Sequence, residues 1–200
     1  MQDHSVTQDL QDRLSLIETM LAEGRHATES WGWTFVLWGV AFYVATGWDN
    51  WGHNPWAWPA TMAAAVVITA VVTSIKAGRE AKTTLARAVV SVWIALGISM
   101  FVLFFSLGAS GRLGDAHLFI AVISGMLGMA NAASGLILRW RVQFGCAVIW
   151  WAAATGACFG TVKQALIIFL AATFICQIAF GVYCMILEGR ANSRRGPTHA

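Results

Sequence analysis

Charged residues are scarce in this sequence. Asp, Glu, Lys and Arg make up 12% of its 200 residues, whereas a typical soluble domain contains about 25%. Hydrophobic residues make up 58%, and a soluble protein of this size needs more polar surface than that to cover its exterior. The shortage of charge therefore excludes an ordinary soluble domain and indicates that a lipid bilayer surrounds most of the chain.

Metal-binding and haem-binding patterns are also lacking. The four cysteines, Cys146, Cys158, Cys176 and Cys184, lie inside apolar runs and form no CxxC motif, which is typical of small packing residues in helices. The five histidines form no pair with metal-ligand spacing along one helix. We therefore expect no metal and no cofactor.

Groups for acid–base catalysis are missing from the apolar runs. Six of the ten carboxylates lie within the first thirty residues, and the buried serines have no base nearby in the sequence pattern. We therefore expect that the protein is not an enzyme. Because ion-coupled transporters usually keep an ionisable residue inside the membrane, ion-coupled transport is disfavoured as well.

A long basic stripe and a signal peptide are absent. The net charge is +3, and Lys and Arg occur in short clusters without interleaved aromatic residues, so nucleic acid is not expected as a partner. The first thirty residues are polar and acid-rich, unlike a cleavable signal sequence. We expect the first apolar run to serve as the insertion signal.

Six apolar runs follow the polar N-terminus. Each contains 17 to 24 residues, which matches the roughly 20 residues needed to cross the hydrocarbon core. The runs cover residues 31–48, 56–75, 88–109, 117–138, 144–160 and 164–187. We predict an all-α polytopic membrane protein with six transmembrane helices arranged as three antiparallel hairpins.

The distribution of Lys and Arg predicts the orientation. If the N-terminus is cytoplasmic, eleven of the thirteen basic residues lie on cytoplasmic segments, and only Arg112 and Lys163 lie outside. This is a strong positive-inside bias. We therefore expect a multi-pass protein of the cell inner (plasma) membrane with both termini in the cytoplasm.

Three regions follow from this topology. Residues 1–30 form a cytoplasmic amphipathic helix, residues 31–188 the six-helix transmembrane domain, and residues 189–200 a basic cytoplasmic tail. Within the first region, a helix is expected from about residue 5 to residue 23. Leu10, Leu14, Ile17 and Leu21 share one helical face and are predicted to bind a partner.

Polar residues within the apolar runs are candidates for a ligand site. Asn131 in the fourth run and Gln177 in the sixth are expected to face the bundle interior, because an unpaired amide in hydrocarbon is costly. The favoured interpretation is a structural hydrogen bond between these two helices. The alternative is that Asn131, Gln177, Ser99 and Thr173 line a path for a small neutral ligand.

Small residues recur at spacings of three and four in two runs. Ser124, Gly128 and Ala132 lie on one side of the fourth predicted transmembrane helix, and Ala152, Gly156 and Gly160 on one side of the fifth. Such patterns let helix backbones approach closely in lipid. We predict that both sets pack against neighbouring helices, within one subunit or between subunits.

Two functions remain open from the sequence. The first is a non-enzymatic integral membrane protein with an accessory, regulatory or scaffold role, which acts through self-association or through binding of another membrane protein. The second is a small channel or carrier for a neutral or weakly polar solute. The acidic amphipathic N-terminal helix favours the first function, because helices that lie on anionic membranes carry Lys and Arg instead.

Overall fold

The computed structural model describes residues 2–52, 56–76, 84–110 and 116–194, and these residues are almost entirely helical. The eight α-helices are α1 Gln2–Ser30, α2 Gly32–Gly52, α3 Ala57–Lys76, α4 Thr84–Ala109, α5 Ala116–Ile137, α6 Arg141–Phe159, α7 Val162–Thr173 and α8 Phe180–Arg194. A π-helical segment, Phe174–Ala179, joins α7 to α8, so the three form one long bent helix. The predicted tail beyond residue 194 and the loop residues Arg79, Lys82 and Arg112 lie outside the described residues.

Five helical spans are long and apolar enough to cross a membrane, in addition to the N-terminal helix. They are Ala57–Ile75, Thr84–Ala109, Ala116–Ile137, Arg141–Phe159 and Val162–Ala191. The chain is therefore a membrane-embedded helical protein. The remaining predicted span corresponds to α2, which is 21 residues long but contains four tryptophans, Asp49 and Asn50, and these lower its hydropathy.

Helix α1 is longer than the sequence pattern predicts. It runs from Gln2 to Ser30 instead of residues 5 to 23, and Gly24 does not end it. An added Cβ at Gly24 would lie 2.8 Å from Leu138 Cδ2 and 3.3 Å from Leu85 Cβ. The close approach of α1 to these neighbours explains why the helix continues, because tertiary contacts override the weak helix propensity of glycine.

Helices α5 and α6 are joined by a three-residue turn with a Schellman motif. Arg139 has a positive φ of 49°. The Arg139 amide donates to the Leu136 carbonyl at 3.2 Å, and the Trp140 amide donates to the Gly135 carbonyl at 2.8 Å. These bonds satisfy carbonyls that the end of α5 would otherwise leave unpaired, and they hold the two helices as a tight antiparallel pair.

The turn between α6 and α7 is fixed by a capping box. The Thr161 amide donates to Gln164 Oε1 at 2.8 Å, and the Gln164 amide donates to Thr161 Oγ1 at 3.4 Å. This reciprocal pair satisfies two free amides at the start of α7. The helices on either side of the turn therefore pack as a second antiparallel pair.

The core lies among α2, α5, α6 and the long last helix. Helix α5 is more than half buried, whereas α3 packs on α2, α4 packs on α1 and α5, and both remain mostly exposed. Aromatic side chains fill the spaces that the peripheral helices leave. Trp58 of α3 contacts Phe119 of α5 with ring centroids 5.1 Å apart, and Phe35 of α2 contacts Trp93 of α4 at 5.2 Å.

We call one end of the bundle the basic end. It contains the junction of α1 with α2 at Trp31, the α5–α6 turn at Leu138–Trp140, and the C-terminal part of α8 with Arg190. Arg139, Arg141 and Arg190 are exposed there. The Thr161 turn and the N-terminus of α5 lie at the opposite end, because the helices of each hairpin are antiparallel.

Candidate functional site

The apolar stripe of α1 consists of Leu10, Leu14, Ile17 and Leu21. The first three side chains are 56%, 60% and 51% exposed, and Leu21 is half-buried. Leu16, about 100° around the helix from Ile17, is also exposed. Helix α1 contacts α4 and α8, and its buried residues lie in its C-terminal third, at Gly24 and Thr28. Most of the stripe therefore projects from the bundle with its apolar surface uncovered.

Arg25 fastens α1 to the α5–α6 turn. Its Nε donates to the Leu138 carbonyl at 2.9 Å, and its Nη2 donates to the Arg139 carbonyl at 2.8 Å. Both acceptors lie at the C-terminal end of α5, where the helix dipole favours a cation. A single side chain thus connects the projecting helix to the most deeply packed hairpin of the molecule.

Glu29 lies in the contact between α1 and α8. Burial raises the pKa of this carboxyl above its ordinary value, and the nearby Glu188 carboxylate raises the pKa further. His26 and Arg25 act in the opposite direction, and His26 Nδ1 lies 3.6 Å from Glu29 Oε2. The docking contact of α1 therefore contains an acidic group whose charge is partly disfavoured by its surroundings.

Three of the four residues predicted to line a ligand path are buried in the bundle. Asn131 and Thr173 are fully buried and Gln177 is nearly so. The Thr173 hydroxyl donates to the Phe169 carbonyl of its own helix at 2.8 Å. Ser99 lies on the exposed face of α4 and is therefore separated from the buried three within one chain.

The hydrogen bond expected between Asn131 and Gln177 is not formed. The Asn131 side-chain amide donates to the Leu127 carbonyl at 2.9 Å, one turn back along α5, and its Oδ1 has no partner among the described residues. The reason is the helix order. Helix α5 packs on α4, α6 and α7, whereas the π-helical segment that contains Gln177 packs on α2 and α6.

Further buried polar groups accompany Asn131 on α5 and α6. Within the described part of the chain, Ser124 Oγ, Ser134 Oγ and both amide atoms of Gln143 have no hydrogen-bond partner. We call Ser124, Asn131, Ser134 and Gln143 the interior polar set, and all four are fully buried. The sequence analysis did not identify Gln143, because it precedes the predicted start of its run by one residue.

The alignment of α5 with α6 places Ser134 and Gln143 at nearly the same depth in the bundle. Gly128 faces Trp151 and Gly135 faces Phe144. Each step forward along α5 is therefore matched by one step backward along α6, as in any antiparallel pair. By that register, Ser134 and Gln143 lie within two residues of each other in depth, which is about 3 Å along the helix axis. Uncompensated polar groups are therefore concentrated toward the basic end of the bundle.

The small residues predicted on α5 lie at the α5–α6 contact or in the core. A Cβ added at Gly128 would lie 2.5 Å from Trp151 Cδ1, and Ser124 and Ala132 are buried. The Trp151 ring thus lies against the bare backbone of Gly128. This arrangement allows two helices with large side chains to pack closely.

The predicted small-residue set on α6 is divided among different surroundings. Ala152 is exposed. Gly156 faces α7, where an added Cβ would lie 3.2 Å from Ile168 Cδ1. Gly160 follows the last residue of α6 and caps the helix, with its amide donating to the Gly156 carbonyl at 3.1 Å. These three residues therefore do not form one packing surface within the chain.

Glycines that the sequence analysis did not select make the contact between α2 and α8. An added Cβ at Gly181 would lie 2.7 Å from the Gly32 carbonyl oxygen, and one at Gly32 would lie 2.8 Å from the Gly181 carbonyl oxygen. Gly39, seven residues after Gly32, meets Ile178 in the same way at 2.8 Å. The seven-residue spacing on α2 was the signal available in the sequence.

A groove opens on the exposed side of the bundle between α6 and the long last helix. It has a volume of about 330 Å³, and its lining is almost entirely apolar. The lining residues are Val142, Gly145, Cys146, Ile149, Ile175, Ala179, Phe180 and Tyr183. We call it the α6–α8 groove. Val142 and Tyr183 lie at its basic end. Val142 directly follows Arg141, the first residue of α6.

Metal-binding chemistry has no arranged ligands in the described ranges. Across residues 2–52, 56–76, 84–110 and 116–194, no group of three or more His, Cys, Asp or Glu could hold a metal ion. His117 instead bonds to the protein backbone, with Nδ1 2.8 Å from the Ala157 carbonyl oxygen. That contact connects the start of α5 to the end of α6.

Comparison with known proteins returns no relative from which a function could be inferred. No protein-family model, no curated protein and no solved structure matches the chain. Function is therefore argued from the residues and contacts described above.

Proposed function

We propose that this chain is a non-enzymatic integral membrane protein that acts through self-association or through binding of another membrane protein. The observation that carries the proposal is the uncovered apolar stripe of α1, in which Leu10, Leu14 and Ile17 are more than half exposed. Exposed side chains of this kind, repeated on one face of a helix in water, mark interaction surfaces.

The charge of α1 supports a protein partner over the membrane surface. Around the stripe, Asp9, Asp12, Glu18 and Glu23 outnumber Arg13. Interfacial helices that lie on anionic lipid carry a cationic polar face, and α1 has the opposite sign. An acidic amphipathic helix suits a groove with a basic rim, or a packed assembly in which its carboxylates remain in water.

The anchoring of α1 supports binding at modest intrinsic affinity. About two heptads are too short for a stable coiled coil between free chains. Arg25 holds the helix base at a defined place on the membrane domain, so two membrane-bound partners meet at high effective concentration. The role that follows is accessory, regulatory or scaffolding.

A six-span topology with both termini in the cytoplasm is part of this proposal. Helix α2 has 21 residues, enough for about 31 Å at 1.5 Å per residue. It packs against α3 and the long last helix, which both belong to membrane-spanning candidates. The bias of eleven basic residues against two supports placing the basic end at the cytoplasmic face of the inner membrane.

The test replaces the stripe while retaining the anchor. Leu10, Leu14 and Ile17 are changed together to Ser, and Gln8 and Thr19 on the opposite face are changed to Ser as a matched control. We expect only the stripe variant to lose oligomeric mass by light scattering, or to lose a co-purifying membrane protein, while both insert normally. Unchanged mass together with an unchanged co-purification profile would refute the proposal.

The interior polar set favours a second candidate, a carrier or channel for a small uncharged solute. Polar atoms without partners in the described core are costly in hydrocarbon and offer hydrogen bonds to such a solute. In proteoliposomes, Asn131→Leu should reduce glycerol or urea flux, whereas Ser99→Ala on the exposed face of α4 should not. Wild-type flux equal to that of protein-free liposomes would eliminate this candidate.

A further inference from the structure

We infer that the α6–α8 groove binds one acyl chain of an anionic phospholipid, whose phosphate group is held at the basic end by Arg141 and Arg190. This goes beyond the association function, because it assigns a specific lipid site to the membrane-spanning helices, apart from the α1 stripe.

The groove has the dimensions of a site for a chain-like apolar ligand. Its volume of about 330 Å³ is near the lower end of the range for small-molecule pockets, roughly 300–1,000 Å³. Its α6 wall extends from Val142 to Ile149, seven residues or about 10 Å along the helix. It therefore runs parallel to the two helices for about 10 Å.

Small residues form the floor of the groove, and larger side chains form its walls. Gly145 and Ala179 form a low region, and a Cβ added at Gly145 would meet no atom within 4 Å. Ile149, Ile175 and Phe180 stand beside it. Because both helices belong to membrane-spanning candidates, the groove opens toward lipid hydrocarbon, which identifies the chemistry of the occupant as an acyl chain.

Cationic side chains are placed where the headgroup of that lipid would lie. Arg141 is the first residue of α6, directly before Val142 in the groove wall, and it is exposed. Arg190 is exposed on α8, seven residues after Tyr183, and therefore lies on the same helical face about 10 Å beyond the end of the groove, within reach of a headgroup that extends past it. Tyr183, at the basic end of the groove, adds a phenol at the depth where amphipathic rings prefer to lie.

Glu188 is the acidic residue in this part of α8, and it interacts with α1 instead of the groove. Glu188 is half-buried and acts electrostatically on Glu29 of α1, so it belongs to the α1–α8 contact. Arg141 borders the end of the groove and Arg190 lies further along α8, whereas the carboxylates Glu29 and Glu188 interact with each other in the α1–α8 contact. That charge distribution favours a phosphate with net negative charge over a zwitterionic headgroup.

The test measures lipid retention by native mass spectrometry of the purified full-length chain after mixing with phosphatidylglycerol or phosphatidylcholine. We expect the wild type to retain one phosphatidylglycerol per chain in preference to phosphatidylcholine. Gly145→Leu, which fills the groove, should weaken that retention by about tenfold or more, equivalent to about 1.4 kcal/mol. Gly97→Leu is the matched control, because an added Cβ there also meets nothing within 4 Å and the site lies on α4.

Two further variants separate the parts of the proposal. Ala179→Leu fills the groove from its other wall and should reproduce Gly145→Leu if that variant does not fold, with Ala95→Leu on α4 as its control. Arg141→Gln with Arg190→Gln should abolish the preference for phosphatidylglycerol while retaining lipid. Equal retention in wild-type and groove-filled variants, no headgroup preference in the wild type, or a change in oligomeric mass on filling the groove would each overturn the inference.

Discussion

Glycines within the helices of this protein face two kinds of surroundings. At Gly135 an added Cβ would lie 2.8 Å from the Phe144 amide nitrogen and 3.1 Å from its Cα, whereas at Gly97 and Gly125 nothing lies within 4 Å. A backbone neighbour cannot move aside as a flexible side chain can. Gly135 is therefore required by the α5–α6 contact, and the other two are not.

Gly135→Ala should destabilise the protein by about 1–3 kcal/mol, because the methyl group forces the α5–α6 backbones apart. Gly97→Ala should be neutral or stabilising by up to about 1 kcal/mol, because Ala has the higher helix propensity. Unfolding in mixed micelles of mild detergent and dodecyl sulfate measures both. Equal stabilities for the two variants would show that the close contact at Gly135 does not constrain the fold.

Glu29 makes the docking of α1 dependent on pH. Since burial raises the pKa of Glu29 in the docked state above the ordinary 4.5, protonation favours docking. This contribution is fully present below about pH 4.5 and is lost as pH rises through the raised pKa. Glu29→Gln should slow hydrogen exchange of amides 24–30 at neutral pH and reduce its pH dependence.

Glu23→Gln is the matched control for that experiment, because Glu23 is an exposed carboxylate on the same helix. Its exchange profile should follow that of the wild type. If Glu29→Gln exchanged at the wild-type rate from pH 5 to pH 8, the carboxyl would not contribute to docking.

At the scale of elements, α1 combines a free N-terminal part with a fixed C-terminal part. The stripe projects, while Gly24 packs against Leu85 and Leu138 and Arg25 binds the carbonyls of the α5–α6 turn. A partner that binds the stripe would therefore apply force to the turn between the two most closely packed helices. The orientation of α1 relative to the bundle is set by this guanidinium group together with the contacts of α1 with α4 and α8.

Arg25→Gln should loosen this connection. A hydrogen bond from a charged donor contributes about 1.5–3 kcal/mol when buried. The Nε bond of Arg25 is only part-buried and its Nη2 bond is exposed, so we expect about 1.4 kcal/mol for the two together, which is tenfold in an equilibrium constant. We expect about tenfold faster hydrogen exchange over residues 24–30, with an intermediate effect for Arg25→Lys, which keeps the charge but loses the two-pronged geometry. Arg87→Gln, at an exposed arginine of α4, should leave this exchange unchanged.

The long last helix makes two different contacts through its π-helical segment. Its π-helical segment, Phe174–Ala179, adds width to a single turn, and such segments recur at functional positions. On one side, Ile178 lies against Gly39 of α2. On the other side, Ile175 and Ala179 line the α6–α8 groove. The altered helical turn therefore lies between the α2 contact at Gly39 and the proposed lipid site.

At the scale of the whole molecule, the packing is uneven. Helices α5, α6 and the last helix form the buried centre, while α3 and α4 expose most of their apolar surface. In a bilayer this surface contacts lipid or another subunit, since both are as apolar as the side chains themselves. The exposed flanks belong to membrane-span candidates and the stripe belongs to α1, which is not one of them, so the two surfaces are separate.

The proposed topology leads to a prediction for the whole chain. Reporter fusions after residue 200 and before residue 1 should both be active in the cytoplasm, because eleven basic residues lie on that side. A fusion in the segment between α4 and α5 should be active only on the other side. A C-terminal fusion that is active only outside the cytoplasm would contradict the topology and the placement of α2 as a span.

Sequence pattern predicted more of the elements than of their contacts. Five predicted runs correspond to membrane-spanning candidates, and the α1 stripe is visible as a spacing of four, three and four residues. The predicted Asn131–Gln177 bond was wrong because helix order cannot be read from helical periodicity. The Gly32–Gly181 contact was missed for the same reason, whereas Gln143 was missed because it lies one residue before its predicted run.

The chain by itself determined that it is a membrane-embedded helical protein with an acid-rich helix at its N-terminus. Apolar length and charge are properties of single segments, and they act on each helix independently of its neighbours. Only the tertiary structure decided which glycines are in contact, where α1 is fastened and where the groove lies. Each of these depends on two segments far apart in sequence, whose relative register is set by close packing.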